Sequence, residues 1–420
     1  MVYKIDIQSN RKSQDGTILG KISDFHEQLI VHEREKVNIL KKSPLTSVSD
    51  TEVTYYDRFE KKEKTALMFA SNNYLGAITN QICIDTAIEA TKKYGIGSGG
   101  VPLLSGTNIL QNQLEQAIAQ TKGFDDAIVF SSGFAANLGA LAGLLSPDNL
   151  IIHDKLNHAS LMDGTIMCGA KMLRYKHNDL ADLEKLLREN SPLYPGGILV
   201  VTDGVFSMDG DIANLPGIIE LVNKYNVLLL IDDAHATGVI GEKGRGSLSY
   251  YGIAQRDNII LTGTLSKAVG IVGGFITAKQ EVIDYLRIFS RSNMYSTALP
   301  PSVLASAKAV FEFMQTTDIV ERLNQNASYL RTRLKQEGYN TLDSQTAIIP
   351  IVVKDQYLLT QISKMLLDRG IMANYIFPPV VPPNLTRIRI SVMATHTNED
   401  MEYLISSLNE INATHPIKKS

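Results

Sequence analysis

Short runs of consecutive apolar residues recur along the middle of this 420-residue chain and alternate with segments of helical periodicity. A run that is too short and too uniformly apolar for a surface helix is typical of a strand buried on both faces. The pattern predicts such strands at 127–130, 150–152, 198–202, 227–231 and 259–262. Amphipathic helices are predicted between them, for example at 179–188 and 216–225. This alternation predicts an α/β protein with a mostly parallel central sheet covered by helices.

The two ends of the chain show a different pattern. Residues 1–60 are charged and poor in glycine; apolar residues at helical spacing between 22 and 30 predict an amphipathic helix, and a short extended segment is predicted near 52–56. Beyond residue 300, long helices alternate with strand-like runs at 348–353 and 387–392, which is typical of an α+β domain. We therefore expect an N-terminal arm at 1–60, a large α/β domain at 61–300 and a smaller C-terminal α+β domain at 301–420.

Charge and composition exclude several classes of protein. The chain has 41 basic and 44 acidic residues, so its net charge of -3 does not favour nucleic-acid binding through phosphate contacts. It has no apolar run long enough for a transmembrane helix and no N-terminal signal core. Two cysteines, Cys83 and Cys168, do not form a disulfide framework. These features predict a cytoplasmic protein.

Two local patterns look like ligand sites but lack the context that such sites need. Residues 95–100 match G-x-G-x-x-G, yet they follow a predicted helix at 86–94, whereas a dinucleotide site follows a strand. A flexible loop is the favoured interpretation. His153 and His158 have no third ligand at metal-binding spacing, so hydrogen-bonded histidines are favoured and no metal site is predicted.

Three other segments carry groups that could bind a ligand together. Residues 131–137 follow a strand and open a helix, so their N–H groups could hold a phosphate, although a serine N-cap is equally common there. Asp232 ends a buried strand and needs a cationic partner, either a basic side chain or a protonated ring nitrogen. Lys267 lies among small and apolar residues that could lower its pKa, although most lysines are simply solvated.

Together these three groups are the parts that hold pyridoxal 5′-phosphate. The sequence also resembles the α-oxoamine synthases along most of its length. The matching segments, in chain order, are SNNYLG (71–76), SSGFAAN (131–137), DKLNHAS (154–160), RYKHND (174–179), TDGVFSMDGD (202–211), DDAHATG (232–238), GTLSKAVG (263–270), YSTALPP (295–301) and RIRISVMATHT (387–397). The resemblance implies a fold-type-I, aspartate-aminotransferase-like transferase that depends on pyridoxal phosphate.

The resemblance also implies a role for each matching residue. Lys267 corresponds to the lysine that forms the Schiff base, and Asp232 to the carboxylate that keeps the pyridine nitrogen protonated. His158 corresponds to the histidine that stacks on the ring. The other implied cofactor contacts come from Ser132, Gly133, Phe134, Ser207, His235 and Thr264, and from Ser296 and Thr297 of a neighbouring subunit. Asn72 and Arg389 correspond to the residues that hold the substrate carboxylate.

The implied reaction is a decarboxylative Claisen condensation. An amino acid and an acyl thioester, carried by coenzyme A or an acyl carrier protein, give an α-amino ketone and carbon dioxide. Lys267 would remove the α-proton of the amino acid as a general base. The shared phosphate contacts imply a homodimer with shared active sites.

The resemblance leaves the substrates open. The serine palmitoyltransferase branch, which makes 3-ketosphinganine from L-serine and a long-chain acyl-CoA for sphingolipid biosynthesis, is preferred on the longer N-terminal arm and the LPPSV segment (299–303). The alternatives are glycine C-acetyltransferase, 8-amino-7-oxononanoate synthase, and relatives that use another amino acid such as cysteate. An ordinary aminotransferase and an idle scaffold subunit are the alternatives from other classes. Val101 and Pro102 occupy positions where relatives commonly have Ser-Arg, and Gln111 occupies a position where relatives often have histidine. Both differences leave the recognition of the acyl donor open.

Overall fold

The computed structural model describes residues 16–34 and 43–418, and every structural statement below refers to these residues. The strands are β1 (Glu52–Asp57), β2 (Lys62–Phe69), β3 (Asp126–Phe130), β4 (Leu150–Asp154), β5 (Lys171–Tyr175), β6 (Ile198–Asp203), β7 (Leu228–Asp232), β8 (Ile259–Thr264), β9 (Gly274–Ala278), β10 (Ile348–Val352), β11 (Ile371–Ile376) and β12 (Arg387–Ser391).

The helices are more numerous than the strands. They are α1 (Ile18–Arg34), α2 (Gln81–Tyr94), α3 (Ile109–Lys122), α4 (Gly133–Leu144), α5 (Ala159–Cys168), α6 (Leu180–Asn190), α7 (Leu215–Tyr225), α8 (Ser247–Tyr250), α9 (Gln280–Phe289), α10 (Arg291–Met294), α11 (Pro301–Thr316), α12 (Ile319–Gln336), α13 (Gln356–Asp368) and α14 (Asn398–Thr414).

The chain forms two compact units. The larger unit comprises 72–207 and 211–324, and the smaller comprises the chain up to residue 71, residues 208–210 and residues from 325 onward. The domain boundaries predicted at residues 60 and 300 stay predictions.

The larger unit is built on a seven-stranded sheet in the order β3-β9-β8-β7-β6-β4-β5, within the described ranges. Strands β8, β7, β6, β4 and β5 run parallel, whereas β9 is antiparallel to both of its neighbours. Parallel strands all end at one edge of their sheet, and open α/β sheets bind ligands at that edge. The register pairs Asp203, the last residue of β6, with Asp232, the last residue of β7.

The apolar composition of these strands explains why they are central. Residues of β4, β6 and β8 are buried on both faces, and a continuous core packs them against α4, α5 and α9. Strands that bury both faces need no alternation of polar and apolar residues, which is why the sequence pattern identified them. The predicted mostly parallel α/β architecture is confirmed.

Four strands were not predicted from the sequence because their apolar runs are short or interrupted. In β5, KMLRY carries two cations and lies at the edge of the sheet, and β9 begins with a glycine. The other two, β2 and β11, belong to the smaller unit, whose described residues form a five-stranded sheet in the order β1-β2-β11-β12-β10. The first half of β2 consists of charged and polar residues, and the half-buried Asn374 interrupts the apolar run of β11, so neither sequence reads as a strand.

The described helices include none that is long and apolar enough to cross a lipid bilayer. Helix α1 confirms the amphipathic helix predicted between residues 22 and 30.

Candidate active site

A cavity of about 240 Å³ lies within the larger unit, at the carboxyl edge of the parallel strands. It is formed where β6, β7 and β8 end and where α4 and α5 begin. The residues that line it are Ser132, Gly133, Phe134, Asn137, His158, Ser160, Asp203, Val205, Asp232, Ala234, His235, Thr264, Ser266 and Lys267. Segments separated by more than 100 residues in sequence therefore meet at one site.

One end of the cavity combines a helix start with hydroxyl groups. Ser132 is the N-cap of α4, and its hydroxyl accepts the Ala135 N–H at 3.0 Å. The first N–H groups of a helix have no acceptor within the helix, so those of Gly133 and Phe134 can bind an anion. The Thr264 hydroxyl lies beside them and is 2.7 Å from the Ser266 hydroxyl.

Glycine at position 133 is required by the packing of this end. A Cβ atom there would lie 2.8 Å from the Thr264 Cβ, closer than real Cβ atoms approach a neighbour. The absence of a side chain lets the start of α4 come close to the end of β8. The start of α4 and the Thr264 and Ser266 hydroxyls consequently line the same cavity.

Asp232 is buried at the end of β7, with 5% of its surface exposed. Its Oδ2 accepts a hydrogen bond from the Asn137 amide at 2.7 Å, and its Oδ1 accepts the Ala234 N–H at 3.0 Å. These two donors fix the carboxylate and leave it able to pair with a cationic group in the cavity.

His158 lies at the start of α5, where its side chain is exposed at the cavity wall. Its Nδ1 is 2.7 Å from the Ser160 hydroxyl, which also accepts the second N–H of the Asn137 amide at 2.8 Å. Desolvation lowers the pKa of His158, although the Asp232 carboxylate opposes that effect. A neutral imidazole whose orientation is fixed is suited to stack on a flat ligand.

His235 is oriented by a residue that the sequence analysis overlooked. The Tyr74 hydroxyl lies 2.9 Å from His235 Nδ1 and 3.2 Å from Asn72 Oδ1, and the Tyr74 side chain is fully buried. The hydroxyl therefore connects Asn72, whose predicted role is to bind the substrate, to a histidine of the cavity wall.

Lys267 lies half-buried in the turn that follows β8, and it lines the cavity. The turn is closed by two backbone hydrogen bonds, Leu265 N–H to Gly273 O at 2.9 Å and Ile271 N–H to Leu265 O at 2.8 Å. Ala268 and Val269 are buried behind the lysine. A rigid turn thus holds the amine at the site.

The residue after Asp232 has a different environment. Asp233 is fully buried and pairs with Lys122 at 2.8 Å, and its carboxylate also accepts the hydroxyl hydrogen of Ser247. This buried ion pair anchors the segment that carries Asp232 and His235 beneath the cavity.

Several residues singled out from the sequence lie elsewhere. Ser207 does not line the cavity within this chain, and Ser296 and Thr297 line a separate small cavity beside Pro102 and Gln111. Arg389 belongs to the smaller unit, where it is buried on β12 and donates to the Ser391 hydroxyl at 2.9 Å. The roles of these four residues stay predictions, as do the roles of the residues that line the cavity.

The two patterns set aside in the sequence analysis are structural in the described chain. Residues 95–100 form a loop that follows α2, and the Gly100 carbonyl accepts the Ala298 N–H at 2.9 Å. His153 is buried and bonded to Thr165 and Asn157, and desolvation lowers its pKa to about 3. The described residues contain no group of three or more ligands suited to a metal ion.

Sequence reasoning also missed Asn137, Ser160, Asp203 and Ser266. Each of them lies inside a segment that was quoted for the family resemblance, one to four residues from a residue given a role. Membership of a matching segment was therefore the available signal, but the contacts that give each residue a function depend on the tertiary structure.

The donors of this cavity fit pyridoxal phosphate. An amine for its aldehyde (Lys267), a carboxylate for its pyridine nitrogen (Asp232) and a helix start with hydroxyls for its phosphate line one cavity. The close approach of Gly133 to Thr264 would leave room for the phosphate at this helix start, and His158 offers a flat side chain to the ring.

Comparison with known proteins supports the same cofactor. The aminotransferase class I and II family model matches residues 64–408. The 8-amino-7-oxononanoate synthase of Geotalea daltonii is 41% identical over 351 residues, which cover 83% of this chain and 89% of that protein. The enzyme of the same name from Lysinibacillus sphaericus is 42% identical over 350 residues, with the same coverage of 83% and 89%.

The chain belongs to the α-oxoamine synthases. Solved structures of this family have the same fold. Serine palmitoyltransferase of Sphingomonas wittichii superposes with a TM-score of 0.88 at 29% identity, covering 96% of this chain and 99% of that one. The 8-amino-7-oxononanoate synthase of Francisella tularensis gives a TM-score of 0.71 at 27% identity, covering 83% and 97%.

The α-oxoamine synthase is an acyltransferase of the fold-type-I class, and its cofactor is pyridoxal phosphate. The family, fold class, enzyme class and cofactor predicted from the sequence are thereby confirmed. An amino acid and an acyl thioester fit the family as substrates.

Proposed function

We propose that this α-oxoamine synthase makes 8-amino-7-oxononanoate. The observation that carries the proposal is the match to relatives of that name, which are 41% and 42% identical over 83% of the chain. The sequence analysis preferred the serine palmitoyltransferase branch and kept this function as an alternative. The relatives favour the alternative.

The structure of the product identifies both substrates. The carbon that carries the amino group also carries a methyl group, so the amino acid is alanine after loss of its carboxylate as carbon dioxide. The remaining carbons come from a pimeloyl group, a linear acyl chain that ends in a carboxylate. The thiol that carried the acyl group leaves when the new carbon–carbon bond forms.

The cavity residues divide the chemistry between them. When bound, pyridoxal phosphate supplies an aldehyde carbon for an amine and a ring that takes up negative charge from the α-carbon. The Lys267 amine accepts the α-proton of the amino acid and later returns a proton. Asp232 keeps a proton on the pyridine nitrogen, held for that task by Asn137 and Ala234.

Other residues bind and orient. The N–H groups of Gly133 and Phe134 and the hydroxyls of Ser132 and Thr264 would hold the phosphate, and His158 would stack on the ring. His235, held by Tyr74, would contact the phenolic oxygen, and the contact that the resemblance implies for Ser207 stays a prediction. The resemblance assigns the carboxylate of the amino acid to Asn72 and to Arg389, whose guanidinium could bind a carboxylate in a bidentate manner.

The functional unit in this proposal is a homodimer. Ser296 and Thr297 lie apart from the cavity of their own chain, which is the arrangement expected if they complete the phosphate site of the neighbouring subunit. The cytoplasmic location stays a prediction of the sequence.

A serine palmitoyltransferase activity is the second candidate, and a specific observation favours it. The Sphingomonas wittichii serine palmitoyltransferase covers 96% of this chain, against 83% for the Francisella tularensis 8-amino-7-oxononanoate synthase. The wider structural match includes chain that the sequence relatives do not cover.

A substrate panel separates the two candidates. Holoenzyme is incubated with alanine, serine, glycine or cysteate, each paired with pimeloyl, palmitoyl or acetyl thioester on coenzyme A or carrier protein, and products are identified by mass. We expect alanine with pimeloyl thioester to have the highest kcat/KM and to release free thiol and carbon dioxide in equal amounts. Serine with palmitoyl-CoA as the best pair would contradict the proposal and establish the second candidate.

Two controls address the other classes. The Lys267→Ala variant should give no product with any pair. An incubation with alanine and a keto acid but no thioester should give no amino-group transfer at turnover rates, whereas sustained transfer would identify an aminotransferase.

A further inference from the structure

Asp203 is a second carboxyl group in the wall of the cofactor cavity. It is the last residue of β6, its Cα is paired with that of Asp232 on β7, and 3% of its surface is exposed. Both carboxyl groups line the cavity. The division of roles described above gives Asp232 a task and leaves Asp203 without one.

The hydrogen bonds of Asp203 lead to the turn that carries His158. Its Oδ1 accepts the backbone N–H of His158 at 3.2 Å, and its own N–H donates to Asn157 Oδ1 at 3.1 Å. The Asn157 amide in turn donates to the Val201 carbonyl at 2.8 Å. Three hydrogen bonds thus tie the turn between β4 and α5, which presents His158, to the end of β6.

The two carboxyl groups differ in their support. Asp232 receives two N–H donors, from Asn137 and Ala234, which stabilise its charged form. Desolvation and the neighbouring Asp232 charge raise the pKa of Asp203 well above its ordinary value. Asp154 adds to the rise, while the His158 N–H and the Lys267 charge oppose it.

We propose that Asp203 is a positioning residue that holds the His158 ring against the cofactor, and that it does so as an uncharged hydrogen-bonding group next to Asp232. Its oxygen accepts the His158 N–H in either protonation state, so the charge is not needed. An asparagine, which is neutral and of the same shape, can therefore replace it. The proposal rests on the cofactor assignment and is independent of the identity of the amino acid and thioester.

The test compares Asp203→Asn with Asp203→Ala in the full chain. Cofactor affinity is measured by adding pyridoxal phosphate to protein from which the cofactor has been removed. The pH midpoint of the bound cofactor is measured as the pH at which its visible absorption spectrum has changed by half. We expect Asp203→Asn to keep both close to the wild-type values. We expect Asp203→Ala to weaken cofactor binding about tenfold, because the His158 N–H loses its acceptor.

Asp203→Asn and Asp203→Ala are also compared in a chain that carries His158→Ala. This comparison shows whether Asp203 acts by positioning His158 or only stabilises the fold. If Asp203 acts through the imidazole ring, Asp203→Ala and Asp203→Asn should bind the cofactor equally well once the ring is absent. A tenfold difference that persists without the ring would overturn the proposal.

The pH titration of the bound cofactor in Asp203→Asn tests whether Asp203 is uncharged, even if Asp203→Ala does not fold. Removing an ionised carboxylate from beside the cofactor would lower the midpoint of the chromophore by about one pH unit or more. Such a fall in Asp203→Asn would overturn the proposal, and an unchanged midpoint would support it.

Discussion

Asp232, His235 and Lys267 lie at or just after the ends of β7 and β8, whereas Asn137 and Ser160, which line the same cavity, lie on α4 and α5. The first set carries the groups that are proposed to react with or pair with the cofactor. The second set carries neutral groups, an amide and a hydroxyl, whose hydrogen bonds reach Asp232 and His158. The comparison indicates that the reactive groups and their alignment come from different elements of the fold.

The two sets should respond differently to substitution. Loss of a reactive group removes a step of the reaction and leaves the fold intact, because these side chains border a cavity. Loss of an aligning group leaves every reactive group present but less well oriented, so its effect should be partial.

Lys267→Ala should have the largest effect. The variant loses the amine that is proposed to move the α-proton, so product formation should fall by at least about 10²–10⁴-fold. Turnover is measured as thiol release, and thermal melting serves as the control for the fold. Near-normal turnover in this variant would remove Lys267 from the reaction.

Asp232→Asn and Asp233→Asn compare two adjacent carboxylates. Asp232→Asn should lower kcat by about 10²–10³-fold with little loss of stability, because a preorganised charge at the cavity is removed. Asp233→Asn should mainly destabilise the fold, by roughly 3–5 kcal/mol, because it leaves the buried Lys122 ammonium without its counter-charge. Urea denaturation and steady-state kinetics on both variants check this; a reversed pattern would refute the division of roles between the two carboxylates.

Asn137→Ala tests the aligning set. It removes the donor shared by Asp232 and Ser160, and a hydrogen bond to a charged group contributes about 1.5–3 kcal/mol, so kcat/KM should fall by roughly 10- to 150-fold. Ser160→Ala, which keeps the contact with Asp232, is the matched control and should lose less. A loss in Asn137→Ala as large as that in Lys267→Ala would place Asn137 among the reactive groups.

His177 gives the smallest expected effect and a dependence on pH. It lies 3.0 Å from Asp154 and 2.8 Å from Asp211, and despite its desolvation these two carboxylates raise its pKa to about 10. A histidine whose folded pKa is raised stabilises the fold fully below its unfolded pKa near 6.5 and loses that contribution as pH rises through about 10. Its partial exposure reduces the effect to about 1–2 kcal/mol.

His177→Gln should therefore be less stable than the wild type at pH 7 and nearly as stable at pH 10.5. Chemical denaturation at both pH values checks this. A stability difference that is the same at both pH values would show that the imidazole is not charged in the folded protein.

The sequence predicts the reactive set better than the aligning set. Asp232 and Lys267 follow buried apolar strands, and the parallel sheet brings all such strand ends to one edge. Asn137, Ser160 and Asp203 have no such periodicity, because an amide, a hydroxyl or an acid on a helix or strand is common everywhere. Their partners lie between 23 and 95 residues away, except for the His158–Ser160 pair.

The fold shows the same division. Strands β4, β6, β7 and β8 were predicted because they bury uniformly apolar residues, whereas the edge strand β5 was missed because its charged residues resemble a loop. Tyr74 lay within a matching segment, but nothing local indicates that its hydroxyl reaches a residue 161 positions away.

The central claim is that the Lys267 amine forms the covalent bond to pyridoxal phosphate. Borohydride reduction of the holoenzyme, followed by proteolysis and mass spectrometry of the peptides, tests it directly. The account predicts a phosphopyridoxyl group on Lys267 with a stoichiometry near one per chain. A reduced adduct on a different lysine, or none in fully loaded protein, would contradict it.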